Sequence, residues 1–142
     1  MIRRAALEDV EAIVAIFEPS FATLDFLPQL HTHEENLGFF RRVVAEGEAF
    51  LHGDDGFAIL EGDRLGHMYV HPRAFGSGAG HALFEHVKTA RAGGFDFWVF
   101  QQNERARRFY EAHGARPVEY TDGSGNEERA PDVRYEWRPA AG

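Results

Sequence analysis

The sequence predicts an α/β fold, with a central mixed and twisted sheet of about six or seven strands flanked by about four helices. Two observations predict it. Short β-type runs alternate along the chain with segments whose apolar residues recur at helical spacing. Glycine or proline marks nearly every change between them. Because 142 residues suit one domain, we expect a single domain over residues 1–142.

The chain begins with a strand and two helices. Residues 2–4 read as a short strand, and apolar residues at helical spacing follow until Pro19, where we expect the first helix to end. Thr32 and Glu35 have the spacing of a capping box, which predicts a second helix that ends at Gly47.

A β-rich region follows. The runs AFLH, FAILE and LGHMYV are separated by turn residues at 53–56 and 61–64, which predicts an antiparallel meander. Glycines at 76, 78 and 80 then interrupt the chain before a third helix. The remaining elements are a buried strand at 95–100, a helix opened by Asn103 and ended by Gly114, and strands at 116–120 and 133–137 around a polar loop.

The composition excludes some classes of function and disfavours others. There is no cysteine, which excludes disulfides and thiolate catalysis, and the formal charge of -8 argues against a nucleic-acid partner. The acidic balance fits a cationic acceptor as well as ordinary solubility. No apolar run approaches the ~18 residues of a membrane span and the amino terminus lacks a secretory signal, so we expect a cytoplasmic protein without membrane contact.

The segment HMYVHPRAFGSGAGHALFEHV carries the chemistry. Its glycines allow backbone N–H groups to surround an anion, and the following helix adds partial positive charge at its amino terminus. The G-x-G-x-G spacing is neither a Walker motif nor a dinucleotide fingerprint. A phosphate site and a plain tight turn are both compatible with the glycines alone.

The context of this segment resembles the acetyl-CoA signature of the GNAT superfamily. Val70 and Pro72 precede the three alternating glycines, and the later segment WVFQQNERARRFYEAHGA resembles the second marker of that superfamily. The matching residues of the second marker are Asn103, Ala106, Phe109, Tyr110 and Gly114. The stretches LPQLHTHEE, HMYV and DGSGNEERAPDVRYEW are similar to a bacterial branch of uncharacterised acceptor.

The resemblance implies a cleft for acetyl-CoA that splits the sheet between the strands ending at Val70 and Phe100. The backbone of residues 68–70 would bind the pantetheine arm, residues 76–81 would surround the pyrophosphate, and Tyr110 would protonate the departing thiolate. The residues expected to contact acetyl-CoA are Met68, Tyr69, Val70, Phe75, Gly76, Ser77, Gly78, Ala79, Gly80, His81, Asn103, Ala106, Arg107 and Tyr110.

Two positions depart from the family pattern. Phe75 replaces the usual Gln or Arg, and Ala115 replaces a common Phe. The glycine loop binds mainly through its backbone, so Phe75 weakens the match without breaking it. Arg73, Arg107 and Arg108 lie close enough in sequence to supply positive charge instead.

The sequence is less specific about the residues that would bind the acceptor. His67 on the strand LGHMYV is expected to lie with Leu65 and Tyr69 at the cleft, where it could accept the proton of the amine or be a half-buried structural histidine. The other acceptor candidates are His31, Glu34, Trp98 and Glu127. Each of them also has a purely structural interpretation. His31 and Glu34 could belong to a capped helix start, Trp98 could be a core aromatic, and the loop that contains Glu127 could be an ordinary hairpin insertion.

The resemblance therefore implies an N-acetyltransferase that moves an acetyl group from acetyl-CoA to a primary amine of a small molecule, by direct transfer in a ternary complex. No metal is expected, because no histidine pair has a carboxylate partner on the same helix face. Acetylation of a protein or peptide, and a non-catalytic acyl-CoA-binding module, are the alternatives. A homodimer is left open.

Overall fold

The structure, a computed structural model, describes residues 1–140; the predicted domain of residues 1–142 extends two residues beyond them. Seven strands form one sheet: β1 Ile2–Arg4, β2 Glu48–His52, β3 Gly56–Glu61, β4 Arg64–Val70, β5 Phe95–Phe100, β6 Arg116–Tyr120 and β7 Asp132–Trp137. The α-helices are α1 Val10–Ala22, α2 His33–Glu46, α3 Ala79–Ala90 and α4 Glu104–Ala112. The predicted order of elements is confirmed.

Helix α1 continues past Pro19, so the predicted end of this helix was wrong. Pro19 lies in the last turn of a helix that runs to Ala22. Proline there removes one backbone hydrogen bond. Packing outweighs that loss, since the rings of Phe17 and Phe21 lie 5.2 Å apart across the turn. The predicted capping box of α2 is present: Glu35 N–H donates to the Thr32 hydroxyl at 3.1 Å, and Thr32 N–H donates to the Glu35 carboxylate at 2.9 Å.

The sheet has a core on each face because side chains alternate along its strands. On β3, Phe57 and Ile59 pack with α1 and α2, whereas Ala58 and Leu60 face the core that contains α3. Helices therefore cover both faces of the sheet.

The strand order β1-β2-β3-β4-β5-β7-β6 places β4 beside β5, and these two run parallel. Their register contains a single pair, Arg64 with Asp96. The side chains reinforce it, because the Arg64 guanidinium donates to both Asp96 carboxylate oxygens at 3.1 Å. Beyond this pair the strands separate, and a cavity of about 760 Å³ lies along β4 from Leu65 to Val70.

The β6–β7 loop, residues 121–131, is held by its own hydrogen bonds. The Asn126 amide donates to the Ala130 carbonyl at 2.7 Å and to the Asp132 carboxylate at 3.2 Å, and accepts from Ala130 N–H at 3.2 Å. Gly123 has φ +85°, and a Cβ there would lie 2.3 Å from the carbonyl carbon of Ala130. The loop therefore has a fixed shape that requires glycine at this position.

We expect Gly123→Ala to lower the free energy of unfolding by about 2 kcal/mol or more, because it adds a left-handed backbone penalty to a steric overlap. Gly125→Ala is the control, since a Cβ at Gly125 meets nothing within 4 Å. Urea denaturation measures both variants. Equal losses in the two would contradict the fixed loop.

Candidate active site

The cleft between β4 and β5 gathers most of the residues predicted to bind acetyl-CoA. Its lining includes Met68, Tyr69, Val70, Phe75, Gly76, Gly78, Gly80, His81, Asn103, Ala106 and Tyr110. Ser77 and Ala79 belong to the same turn, in which Ala79 N–H donates to the Ser77 hydroxyl at 3.3 Å. The sequence thus predicted the wall formed by β4, the glycine turn and α4.

The glycine turn has the backbone of an anion site. Gly76 and Gly78 have φ of +80° and +94°, and no atom lies within 4 Å of a Cβ built on either. Gly78 is the N-cap of α3, so the N–H groups of Gly80 and His81 in the first turn have no acceptor inside the helix. Free N–H groups and the helix dipole suit the pyrophosphate of acetyl-CoA.

The arginines near this turn are arranged differently from the prediction. Arg107 does not line the cleft; its guanidinium donates to the Tyr135 hydroxyl at 3.0 Å and to the Tyr120 hydroxyl at 3.2 Å. The reason is the hydrogen bonding of its guanidinium, which these two hydroxyls of β6 and β7 and the Gln101 carbonyl hold away from the cleft.

Positive charge at the cleft comes from Arg108, one of the three predicted arginines, and from Arg105, which was not predicted. Arg105 and Arg108 line it, and the Arg105 guanidinium lies 3.7 Å from the centre of the Phe75 ring. Phe75, at the position where the family has a polar residue, thus holds a cation beside the glycine turn. Arg73 instead donates to the Asp54 carbonyl at 2.8 Å.

His81 adds an imidazole to the same end of the cleft. Its Nδ1 lies 2.9 Å from Nε2 of His113, whose Nδ1 lies 2.8 Å from the Phe109 carbonyl oxygen. The Phe109 carbonyl oxygen can only accept, so Nδ1 of His113 carries the hydrogen of that bond. In the neutral ring, Nε2 of His113 then accepts a hydrogen bond from Nδ1 of His81. His81 therefore has a fixed orientation next to the turn.

Tyr110 is a buried phenol that lines the cleft. Its side chain is 8% exposed and its ring lies 4.5 Å from that of Phe97. Within residues 1–140 its hydroxyl has no hydrogen-bond partner. Burial raises the pKa of Tyr110, and the nearby Tyr69 raises it further. The phenol is therefore protonated at neutral pH.

Asn103 has a structural role in addition to its place in the cleft. Its side-chain oxygen accepts from Ala106 N–H at 3.2 Å and so caps α4. The cap fixes the first turn of the helix that carries Tyr110.

His67 lies at the cleft, but not on the face that it was predicted to share with Leu65. The pairing of β3 with β4 shifts register there, leaving Gly66 without a partner, and this bulge turns Leu65 to the α3 side. His67 contacts the rings of Phe39 and Phe40 on the α2 side, with Nε2 3.7 Å from the Glu61 carboxylate. His67 lowers the pKa of Glu61, so this carboxylate is ionised.

The acceptor candidates are only partly brought together. His31 Nε2 lies 2.7 Å from the Glu127 carboxylate, which joins the segment before α2 to the β6–β7 loop. This contact raises the pKa of His31. Trp98 lines the cleft with 38% exposure, so it is not a core aromatic. Glu34 is exposed in the first turn of α2. The lining of the cleft includes none of the other three predicted acceptor residues, His31, Glu34 and Glu127.

One wall of the cleft was missed from the sequence. Asp25 and Phe26, in the segment after α1, also line it, and the ring of Phe26 lies 6.1 Å from that of Phe100. This segment has no regular periodicity or motif, so only its proximity to β5 identifies it.

Two further observations concern residues 1–140. No helix in this range combines the length and apolar composition that a membrane span requires. In the same range, no group of three or more His, Cys, Asp or Glu side chains is arranged to hold a metal ion.

The fold and cleft define a class of protein, and comparison with known families agrees. The acetyltransferase (GNAT) domain matches residues 31–114 of this chain. The chain therefore belongs to the GNAT acetyltransferase family, and it is an acetyl-CoA-dependent N-acetyltransferase.

Two curated or solved relatives are similar to this chain over most of its length. The chain is 33% identical over 118 residues to the peptidyl-lysine N-acetyltransferase YjaB of Salmonella typhimurium, across 80% of this chain and 81% of the relative. The solution structure of apo-form YjaB from Escherichia coli has a TM-score of 0.77 at 27% identity, across 99% of this chain and 98% of that chain. A PaiA N-acetyltransferase from Thermoplasma acidophilum in complex with coenzyme A shares the fold, with a TM-score of 0.67 at 19% identity, across 97% of this chain and 98% of that chain.

We expect Gly78→Glu to weaken acetyl-CoA binding on the order of a hundredfold, because it places a carboxylate where the pyrophosphate should lie. Gly53→Glu is the control: Gly53 also has a positive φ and open space around its Cβ, but lies in the turn between β2 and β3. Calorimetry measures both affinities. Binding by a folded Gly78→Glu variant that equals the control would refute the anion site.

Proposed function

We propose that this chain is a peptidyl-lysine N-acetyltransferase, which transfers the acetyl group of acetyl-CoA to the side-chain amine of lysine in a protein or peptide. The observation that carries the proposal is the 33% identity to a peptidyl-lysine N-acetyltransferase across 80% of this chain. It replaces the small-molecule acceptor expected from the sequence with the protein acceptor that was the alternative.

The charge around the acceptor side supports a cationic substrate. Asp25 lines the cleft, and Glu127 and Glu128 lie in the loop that His31 anchors. The phosphate side instead presents Arg105 together with Arg108. A lysine, charged in solution at neutral pH, is attracted to the acidic side, and the phosphates of the donor to the basic one.

The donor would lie along β4 and the glycine turn. The edge of β4 that faces the cleft has no strand partner after Arg64, so backbone groups of residues 68–70 are available to the pantetheine arm. Residues 76–81 would bind the pyrophosphate, and Asn103 and Ala106 would contact the arm near its thioester end.

The transfer itself would be direct. The neutral lysine amine attacks the thioester carbonyl carbon, a backbone N–H of β4 near residues 68–70 stabilises the oxyanion, and the C–S bond breaks. Tyr110 gives its phenolic proton to the sulfur, and His67 accepts the proton that the amine loses, directly or through water. The raised pKa of Tyr110 keeps the acid in its protonated form through neutral pH.

The acceptor is tested with acetyl-CoA and two panels: peptides with a blocked amino terminus and one internal lysine, and free small amines. Thiol release and mass spectrometry of the product measure the transfer. We expect kcat/KM for the best lysine peptide to exceed that for every small amine by at least about tenfold, because a peptide adds contacts at the open acceptor side. A small amine that outperforms all peptides would restore the small-molecule acceptor.

We expect Tyr110→Phe to reduce kcat at least about tenfold while acetyl-CoA affinity stays within a few-fold of wild type, since the change deletes a positioned proton donor and keeps the ring. Tyr120→Phe is the control, because Tyr120 is 57% exposed and bonded to Arg107 outside the cleft. Stopped-flow kinetics on both variants decide the role. Unchanged turnover in Tyr110→Phe would leave water as the acid.

A further inference from the structure

The carboxylate of Glu61, the last residue of β3, lies beside the bulge of β4. Gly66 is the bulge residue without a partner on β3, and a Cβ built on it would lie 2.6 Å from a Glu61 carboxylate oxygen. Glycine at this position therefore leaves the space that the carboxylate occupies. Gly66 also lines the cleft, so the bulge brings a carboxylate of β3 against the cleft wall.

The same carboxylate faces one ring nitrogen of His67. Nε2 of His67 lies 3.7 Å from Oε1 of Glu61, and the exposed fractions of the two side chains are 19% and 41%. The imidazole also makes T-shaped contacts with the rings of Phe39 and Phe40, at centroid distances of 5.3 and 5.6 Å. These rings restrict the imidazole and keep Nε2 on the side of the carboxylate.

An ionised carboxylate at Nε2 determines which nitrogen of the neutral imidazole has the hydrogen. Because a carboxylate can only accept, the hydrogen is favoured on Nε2, and Nδ1 then has the free lone pair. His67 lines the cleft, and among the residues that the structure describes its Nδ1 has no hydrogen-bond partner. A proton taken up at Nδ1 makes the ring a cation, which the neighbouring carboxylate attracts.

The charged groups around this pair keep Glu61 ionised. His67 lowers the pKa of Glu61 most, and Arg64 of β4 and Arg42 of α2 lower it further. The contacts of His67 with α2 are aromatic and uncharged. Among the side chains packed on the imidazole within residues 1–140, Glu61 is therefore the one that provides negative charge.

We propose that Glu61 is a positioning residue for acetyl transfer: its carboxylate holds His67 with the hydrogen on Nε2, so that Nδ1 accepts the proton of the attacking amine. The inference rests on the proposed function, in which His67 is the base. As the amine nitrogen bonds to the thioester carbonyl carbon, its N–H proton moves to Nδ1, and the imidazolium then lies beside Glu61. No proton passes to Glu61. The sulfur takes its proton from Tyr110, so the site gains one proton and gives one in each transfer.

A double-mutant cycle on the full chain tests whether Glu61 acts through His67. The variants are Glu61→Gln, His67→Ala and the two together. Glu11→Gln is the control with the same change of charge, on an exposed residue of α1 outside the cleft lining. The acceptor is a peptide with a blocked amino terminus and one lysine. Steady-state kinetics give kcat and KM, and calorimetry gives the affinity for acetyl-CoA.

We expect Glu61→Gln to lower kcat on the order of tenfold, because the carboxylate stabilises the protonated ring. The peptide KM and the acetyl-CoA affinity should stay within a few-fold of the Glu11→Gln control. In the His67→Ala background the same change should have almost no effect, since the carboxylate then has no imidazole to act on. Long-range ¹H–¹⁵N spectra, which need only the wild-type protein, should show the neutral ring of His67 with its hydrogen on Nε2.

Four results would overturn the inference: kcat in Glu61→Gln equal to the control, an unaltered kcat in His67→Ala, a loss from Glu61→Gln that persists in full in the His67→Ala background, or a hydrogen on Nδ1 of the neutral ring. Failure of the proposed function has a different signature. Wild type would then acetylate small amines but not the peptide, and the same cycle with the best small amine would still test Glu61.

Discussion

The cleft exists because the parallel pairing of β4 with β5 stops after one residue pair. Arg64 and Asp96 hold the strands together at one end, and Arg134 of β7 adds a second cation at 3.2 Å from the Asp96 carboxylate. These arginines lower the pKa of Asp96. The contribution to stability is thus fully present above the pKa of Asp96 in the unfolded chain and is lost as pH falls through the lowered value. Because this pair fixes β4 and β5 at one end, the two strands can separate at the other end while the sheet stays intact.

The walls of this opening differ in charge. The glycine turn, the amino terminus of α3 and two arginines of α4 form a polar, cationic side, whereas the segment after α1 contributes Asp25 to the lining. The formal charge of -8 is a single number in the sequence. Under the proposed function, its distribution about the cleft would attract a polyphosphate to one side and an amine to the other.

The sequence was sufficient wherever a residue's role follows from local periodicity or from a motif. The elements, the glycine turn, the Asn103 cap and the burial of Tyr110 are all of this kind. The sequence was insufficient where tertiary contacts determine the conformation of a residue or the direction of its side chain. Pro19 stays helical because Phe21 packs on Phe17, and the bulge at Gly66 reverses the face of Leu65. The shape of the β6–β7 loop depends on the hydrogen bonds of Asn126 to Ala130, which no periodicity encodes.

The same loop has a consequence for the evolution of the enzyme. Its shape depends on bonds within residues 121–132, chiefly those of Asn126, on the contact between Glu127 and His31, and on Gln101, whose side-chain amide donates to the Thr121 and Asp132 carbonyls. Under the proposed function, substitutions at its outward positions would alter which amine is accepted while β4, the glycine turn and α4 keep their geometry. Acceptor preference could then change among the descendants of one ancestor while every intermediate still binds and uses its acyl donor.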